Sequence, residues 1–166
     1  DVACQAPTGG NVRQVQLSVI DNKQMMDKFR QHAYAAIEKL ADEGSLPEER
    51  KMFANFVSLW QKENIDVLFR GAPHLLVASA PRNISSPVPD CVIALSYFEL
   101  LAQNMGVGTV WDGLARYAIE KLLPEMRKAL GIPDHHLVGA AMAFGKPAVK
   151  YQCTVENDNS NVVRCR

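Results

Sequence analysis

In "QVQLSVID", residues 14–21, Val15, Leu17 and Val19 alternate with polar neighbours, the period of a strand buried on one face. The period then changes. Met26, Phe29, Ala33, Ile37 and Leu40 recur three and four apart, which predicts a helix running to about Gly44, with Asp21-Asn22 placed to cap its start. Ser45-Leu46-Pro47-Glu48 has the form of a capping box with proline in the first turn. The helix it announces buries Phe53, Phe56, Val57 and Trp60. "APHLLVASAP", residues 72–81, is continuously apolar between prolines and predicts a strand covered on both faces.

After a Ser/Pro-rich loop over residues 83–89, the longest helical pattern runs from Val88 to Met105. Cys91, Leu95, Phe98, Ala102 and Met105 form one stripe, and Val92, Ile93, Leu100 and Leu101 widen it beyond a single face. Such a helix needs cover on several sides, from its own sheet and from a second subunit. "PEMRKALGIP" predicts a short helix between Pro124 and Gly131, and "HHLVGAAMAFG" another buried strand. The tail "VENDNSNVVRCR" is polar apart from Val162-Val163, which could add an edge strand. Nothing repeats and nothing marks a boundary. The pattern is one domain over residues 1–166, an α/β-mixed or α+β layer fold.

Composition removes several function classes. The 166 residues carry formal net charge zero, with 48% apolar and 22% charged residues, ordinary globular values without a basic footprint for nucleic acid. No apolar run approaches the roughly twenty residues that span a bilayer, and no signal peptide is evident, so a cytoplasmic protein is expected. The cysteines at 4, 91, 153 and 165 include no Cys-x-x-Cys pair, which argues against a cysteine metal site. Cys91 reads as a small core residue. His32, His74, His135 and His136 form no ligand motif, and the adjacent pair reads as turn and solvent histidines.

Three turns have the makings of chemistry. Pro7-Thr8-Gly9-Gly10-Asn11 offers a backbone free to approach a ligand, a hydroxyl and an amide; it is equally a helix cap followed by a loop. "GVGTVWDG", residues 106–113, loosens the backbone around Trp111, or simply packs that tryptophan in a turn. "FGKPAVKYQ" places Lys146 and Lys150 after a strand, where lysines are usually just solvated. No Gly-x-Gly-x-x-Gly, Walker loop, catalytic triad or paired carboxylate is present, so no catalytic side chain is singled out. An enzyme built this way would leave the hard chemistry to a bound cofactor.

Taken in order, these segments resemble the nitroreductase family of FMN-dependent oxidoreductases. "APTGGNVRQVQLSVI" is similar to that family's Ala-Pro-Ser-x-x-Asn-x-Gln segment and first strand, and "LFRGAPHLLVASAP" to its second strand. "DCVIALSYFELLAQNMGVGTVWDG" resembles its central helix and flavin-contacting loop, and "LGIPDHHLVGAAMAFGKPAVKY" its closing strand. The resemblance implies an α+β fold with a central mixed sheet flanked by helices, and the long helix at a homodimer interface. It implies that Pro7, Thr8, Gly9 and Asn11 approach the flavin from the partner subunit. Trp111, Asp112 and Gly113 would lie along the isoalloxazine, with a backbone N–H near Gly113 aimed at N5 and no proton-transfer role for Asp112. Lys150 would sit near the FMN phosphate.

The implied mechanism is ping-pong, from NADH or NADPH through FMN to a nitroaromatic, a quinone or a similar small-molecule acceptor. Two other activities belong to the same resemblance: a non-catalytic or ferredoxin-linked flavin protein, and a synthase that consumes its reduced flavin to make a cobamide ligand. Two departures stand out. The family's arginine-rich opening is not seen ahead of Pro7, which reads as an N-terminal truncation with residues 1–6 as a helix end, and Cys153 stands where many relatives place a second basic residue.

Overall fold

Asn22 starts the first long helix as predicted, its side-chain oxygen accepting the Met25 N–H at 3.0 Å. The structure, a computed structural model, describes residues 2–149. Helix α1 (Lys23–Asp42) turns Met26, Phe29, Ala33 and Ile37 inward, and Gly44 ends it with φ of 66°. The expected capping box at Ser45 does not form. Glu48–Arg50 is instead a 3₁₀ turn without a side-chain cap, and α2 (Met52–Glu63) follows. Phe53 and Val57 are its buried residues, while Tyr34 of α1 stacks on Trp60 with ring centres 5.0 Å apart.

Four strands form one sheet in the order β1 (Gln16–Ile20), β2 (His74–Pro81), β4 (His136–Gly145), β3 (Gly108–Trp111). Every pairing is antiparallel, so among the described residues the sheet is not the mixed one expected. The two central strands, β2 and β4, are covered on both sides, as their unbroken apolar runs require. On one side Leu75, Val77, Val138 and Ala141 meet α1, α2 and the segment after β3. On the other, Leu76, Ala78, Ala140 and Met142 meet Cys91 and Leu95 of α3 (Pro87–Asn104). Packing against α3 is tight enough that a Cβ at Gly139 would come 2.5 Å from the Cys91 Cβ. Burial raises the Cys91 thiol pKa to about 12, the behaviour of an inert core residue.

The stripe on α3 is only half covered. Cys91, Leu95 and Ala102 are buried, whereas Val92, Tyr97, Leu100 and Met105 face outward, Leu100 and Met105 with 70% and 69% of their surface exposed. Two elements were not anticipated. Residues 108–111 pair with β4 as strand β3, and Gly113–Tyr117 forms α4, continued by a π turn over Ala118–Leu122 and then α5 (Pro124–Ala129). His136 also departs from expectation: it is buried, its Nδ1 3.1 Å from the Ser79 hydroxyl, and burial together with the nearby His135 and Arg127 lowers its pKa. Among the described residues no group of three or more potential ligands could hold a metal ion, and no helix is long and apolar enough to cross a membrane.

Candidate functional site

The loop expected over residues 106–113 is an edge strand running directly into a helix. Trp111 pairs with Met142, and the Asp112 N–H extends the ladder to the Ala141 carbonyl at 2.9 Å. Asp112 then turns the chain. Its Oδ1 accepts the Ala115 N–H at 2.9 Å and caps α4. Gly113 is the first residue of that helix, where the helix itself provides no acceptor for the N–H, and a side chain built at Gly113 would meet open space. Trp111 is 41% exposed and oriented by its indole N–H, which donates to Glu99 Oε2 at 2.9 Å.

Asp112 is 3% exposed, and its second oxygen, Oδ2, has no hydrogen-bond partner among the described residues. Burial pushes its pKa up to about 6; the Ala115 N–H and the charge of Arg70 pull it down, and Asp66 pushes it further up.

Arg70 sits on a loop built around one carboxylate. Asp66 Oδ1 accepts the Tyr34 hydroxyl and the Phe69 N–H, both at 2.9 Å. Its Oδ2 accepts Arg30 Nε at 2.6 Å and the Gly71 N–H at 3.0 Å. Arg30 also reaches the Ala72 carbonyl, so α1 clamps both ends of the loop. Arg70 and Gly71 both have left-handed backbone, φ 58° and 65°. They line an open groove of about 360 Å³, whose walls include Gly108, Val110, Gly145 and Lys146 and which extends to Val149. Among the described residues the two cations are its only charged lining residues.

The turn Pro7–Asn11 lies elsewhere. The Gly9 N–H donates to Asp90 Oδ1 at 2.8 Å, docking the turn on the first turns of α3. Thr8 Oγ1 accepts the Arg13 N–H and Asn11 Oδ1 accepts Arg13 Nε, so both polar side chains are engaged within the segment. Gly10, Asn11 and Arg13 have φ of 61°, 56° and 52°. Gly9 is small because a Cβ there would lie 2.7 Å from the Ser86 hydroxyl. The preceding residues Val2–Gln5 form a 3₁₀ turn.

Trp111, Asp112 and Gly113 are therefore contiguous, and Lys146 shares the groove that opens beside β3. The turn is not brought to them within one chain. It docks at Asp90, while Trp111 docks at Glu99, nine helical residues or roughly 13 Å further along α3. Lys150, Cys153 and Val162-Val163 lie outside the described residues. Sequence reasoning missed Arg70, Asp66 and Asp90. The positive φ of Arg70 has no signature in the sequence beyond the glycine that follows it.

Comparison with known proteins places this geometry in a family. A model of the Nitroreductase family matches residues 1–146. A protein from Methanothermobacter thermautotrophicus named as an NADH dehydrogenase/NAD(P)H nitroreductase is 34% identical over 61 residues, 37% of this chain and 31% of that protein. One of the same name from Archaeoglobus fulgidus is 35% identical over 60 residues, 36% of this chain and 33% of that one. The matched part of the chain thus spans about a third of these curated relatives. Among solved structures, an FMN-bound nitroreductase from Bacteroides fragilis superposes with a TM-score of 0.73 at 20% identity, covering 98% of this chain and 83% of that one. An FMN-bound nitroreductase from Desulfitobacterium hafniense gives 0.72 at 23% identity, covering 99% and 82%. A BluB-like flavoprotein from Clostridium difficile gives 0.65 at 17%, covering 98% and 84%. At these identities the likeness is one of fold.

Proposed function

The chain belongs to the nitroreductase family, and from that premise we propose that it is an FMN-dependent oxidoreductase acting as a homodimer. In this reading NADH or NADPH supplies reducing equivalents, and a nitroaromatic, quinone or similar acceptor takes them in a ping-pong exchange. The observation that carries the reading is the junction of β3 and α4. There a backbone N–H that its own helix cannot satisfy, at Gly113, adjoins an exposed aromatic plane, Trp111, and the mouth of a groove lined, among the described residues, by two cations and no carboxylate.

Those features fit FMN. The Gly113 N–H would be a donor for a ring nitrogen, Trp111 would flank the isoalloxazine, and Lys150, outside the described residues, would serve the phosphate. Bound FMN would supply the hydride chemistry, accepting from a nicotinamide and donating to the acceptor. The protein's work is positioning. Asp112 fixes the first turn of α4 and so the direction of the Gly113 N–H, and the β3–β4 ladder holds Trp111. A fixed donor aimed where charge develops needs no reorganisation during the reaction.

The turn Pro7–Asn11 completes this site from a second copy of the chain. Two facts support the dimer: the roughly 13 Å between the docking points of turn and tryptophan on α3, and the apolar row Val92, Tyr97, Leu100 and Met105 on that helix. Obligate interfaces of this kind bury more than about 2,000 Å².

Anaerobic addition of NADH and then NADPH to the FMN-loaded protein tests the reading. Bleaching of the flavin's visible absorbance, restored by a quinone or nitroaromatic, is expected. Bound flavin that neither nicotinamide bleaches would instead indicate a flavin protein fed by another donor. Failure to take up flavin, in a protein that runs as a monomer at micromolar concentration, would refute the proposal.

A further inference from the structure

A helix cap needs one acceptor, and at α1 this chain uses an uncharged one, the amide oxygen of Asn22. At the buried junction of β3 and α4, where a charge costs most, the cap is a carboxylate. We propose that the Asp112 carboxyl is a redox-linked proton site, which takes up a proton at Oδ2 when the flavin at this junction is reduced and returns it on reoxidation. The inference rests on the flavin reading above.

Three observations converge on it. First, the two oxygens of Asp112 have different partners. Oδ1 accepts the Ala115 N–H at 2.9 Å, while Oδ2 is buried with no hydrogen-bond partner among the described residues. A proton on Oδ2 therefore leaves the cap intact, and the Gly113 N–H keeps its direction in both protonation states. A buried carboxylate oxygen without a donor is a cost that Ser or Thr at the same cap would avoid. Asp90 has an orphan oxygen as well, so the orphan alone does not mark the place. What sets Asp112 apart is the open donor on the residue that follows it.

Second, that donor is close by covalent geometry alone. Four bonds separate the Asp112 carboxyl carbon from the Gly113 nitrogen, which keeps them within about 5 Å. A ring nitrogen accepting from that N–H lies about 3 Å further on. Charges on the order of 8–10 Å apart shift each other's ionisation on the order of tenfold at an effective dielectric near 20.

Third, the surroundings leave the carboxyl poised. Among the described residues no cation lies within ion-pair distance of Asp112. Burial pushes its pKa up to about 6; the N–H groups of Ala115 and Leu114 and the charge of Arg70 act downward, and Asp66 acts upward. Asp66 is itself held by Arg30 at 2.6 Å and by the Tyr34 hydroxyl, both from α1. Strand β4 offers the Ala141 carbonyl to the Asp112 N–H, and Glu99 of α3 is engaged by the Trp111 indole. One more negative charge at the junction is enough to carry such a group across neutral pH. Hydride transfer supplies that charge. A C–H bond of the reduced nicotinamide breaks, an N–H bond forms on the ring, the ring gains one negative charge and the nicotinamide one positive. Asp112 then takes one proton from water at Oδ2, and gives it back to water when the hydride equivalent passes to the acceptor.

Two measurements on the FMN-loaded protein test this. The first is the reduction potential of the bound flavin against pH for the wild type, Asp112→Asn and Asp112→Ser, both of which keep a capping oxygen. The three potentials are expected to vary in parallel near about pH 5, where the carboxyl is protonated in either redox state. The wild type should then fall more steeply, its offset from Asp112→Asn growing by about 30 mV at about pH 8, the equivalent of a tenfold coupling for two electrons. The second is the ¹³C carboxyl shift of Asp112, assigned by its loss in Asp112→Asn and titrated with the flavin oxidised and then reduced. Its pKa should rise by about one unit on reduction. A cap without redox linkage would alter stability and flavin affinity in the variants but leave the potentials parallel at every pH. Parallel potentials, or a carboxyl pKa indifferent to the redox state, overturn the inference while the flavin reading stands. A wild type that takes up no flavin refutes the flavin reading, and the inference falls with it.

Discussion

Two buried aspartates, Asp90 in the first turn of α3 and Asp112 at the start of α4, stand in nearly the same predicament. Asp90 is 2% exposed and Asp112 is 3% exposed; each accepts one backbone N–H through Oδ1, and each has an Oδ2 without a partner among the described residues. The difference lies in what the single bond closes. Asp90 reaches 81 residues back to Gly9 and fastens a turn that has consumed its own polar groups. Asp112 reaches three residues forward, caps its own helix, and leaves the adjoining Gly113 N–H over. The same chemistry thus makes a tether at Asp90 and leaves an open donor beside Asp112. In the full site proposed here, the tethered turn of one chain meets the open junction of the second.

The largest expected effect sharpens the comparison at Asp112. Its carboxyl titrates near 6 in the fold against 3.8 when free, mainly because burial disfavours the charge. A raised folded pKa means that the folded state binds more protons than the unfolded state between those values. Stability therefore falls as pH rises through that window, and the full penalty is present above about pH 6. A shift of that size corresponds to about 3 kcal/mol as an order of magnitude. Asp112→Asn keeps a capping oxygen and removes the charge. At pH 7 it should be more stable than the wild type by up to that amount, with a flat stability profile from about pH 4 to 6 where the wild type slopes. Urea unfolding at several pH values checks this, and parallel slopes in the two proteins would show that Asp112 does not carry an uncompensated charge.

How much of this was legible beforehand follows from how local each cause is. Asn22, the α1 stripe and the unbroken β2 and β4 runs were readable because capping and burial leave periodic marks on the residues themselves. Strand β3 was not, since four residues beginning with Gly108 become a strand only through the ladder that β4 offers. Helix α4 did leave marks, an Asp112 cap and Leu114, Ala115, Ala118 and Ile119 at helical spacing, but the flanking glycines read as a loop. The Ser45 box misled in the other direction, because the chain there tightened into a 3₁₀ turn. Of the site, Trp111, Asp112 and Gly113 were found through resemblance. Arg70 was not, because its posture depends on Asp66 and Arg30, 36 residues apart in sequence, and no spacing rule joins them.

At the tethered end the effect is smaller and of opposite sign. Gly9→Val places a branched side chain where a Cβ already falls 2.9 Å from the Ser86 Cβ. Overpacking of this kind costs about 1–3 kcal/mol, and it should free the turn, so limited proteolysis should cut sooner near residues 7–13. The steric conflict lies inside one chain, with α3, and does not depend on a ligand. Undiminished protection of the turn would mean that the Asp90 tether alone holds it.

The smallest effect separates shape from contact at Asn11. Its backbone is left-handed, which asparagine tolerates and alanine resists, and its side chain accepts from Arg13 Nε at an exposed site. Asn11→Ala should therefore cost about 1 kcal/mol of stability from the backbone alone, whereas Asn11→Gly should cost little. Flavin affinity distinguishes the two roles. If Asn11 serves only to shape the turn, Asn11→Gly binds FMN as the wild type does, and Asn11→Ala weakens it in step with the lost stability. If its amide meets the flavin of the second copy, both variants lose affinity equally, by the about 0.5–1.5 kcal/mol that one neutral hydrogen bond is worth. The Arg13 contact favours the first pattern for a single chain, because the amide oxygen is already engaged. The free amide NH₂ leaves the second open to the dimer. Equal FMN affinity in the wild type and Asn11→Gly would therefore confine the role of this residue to the shape of the tether.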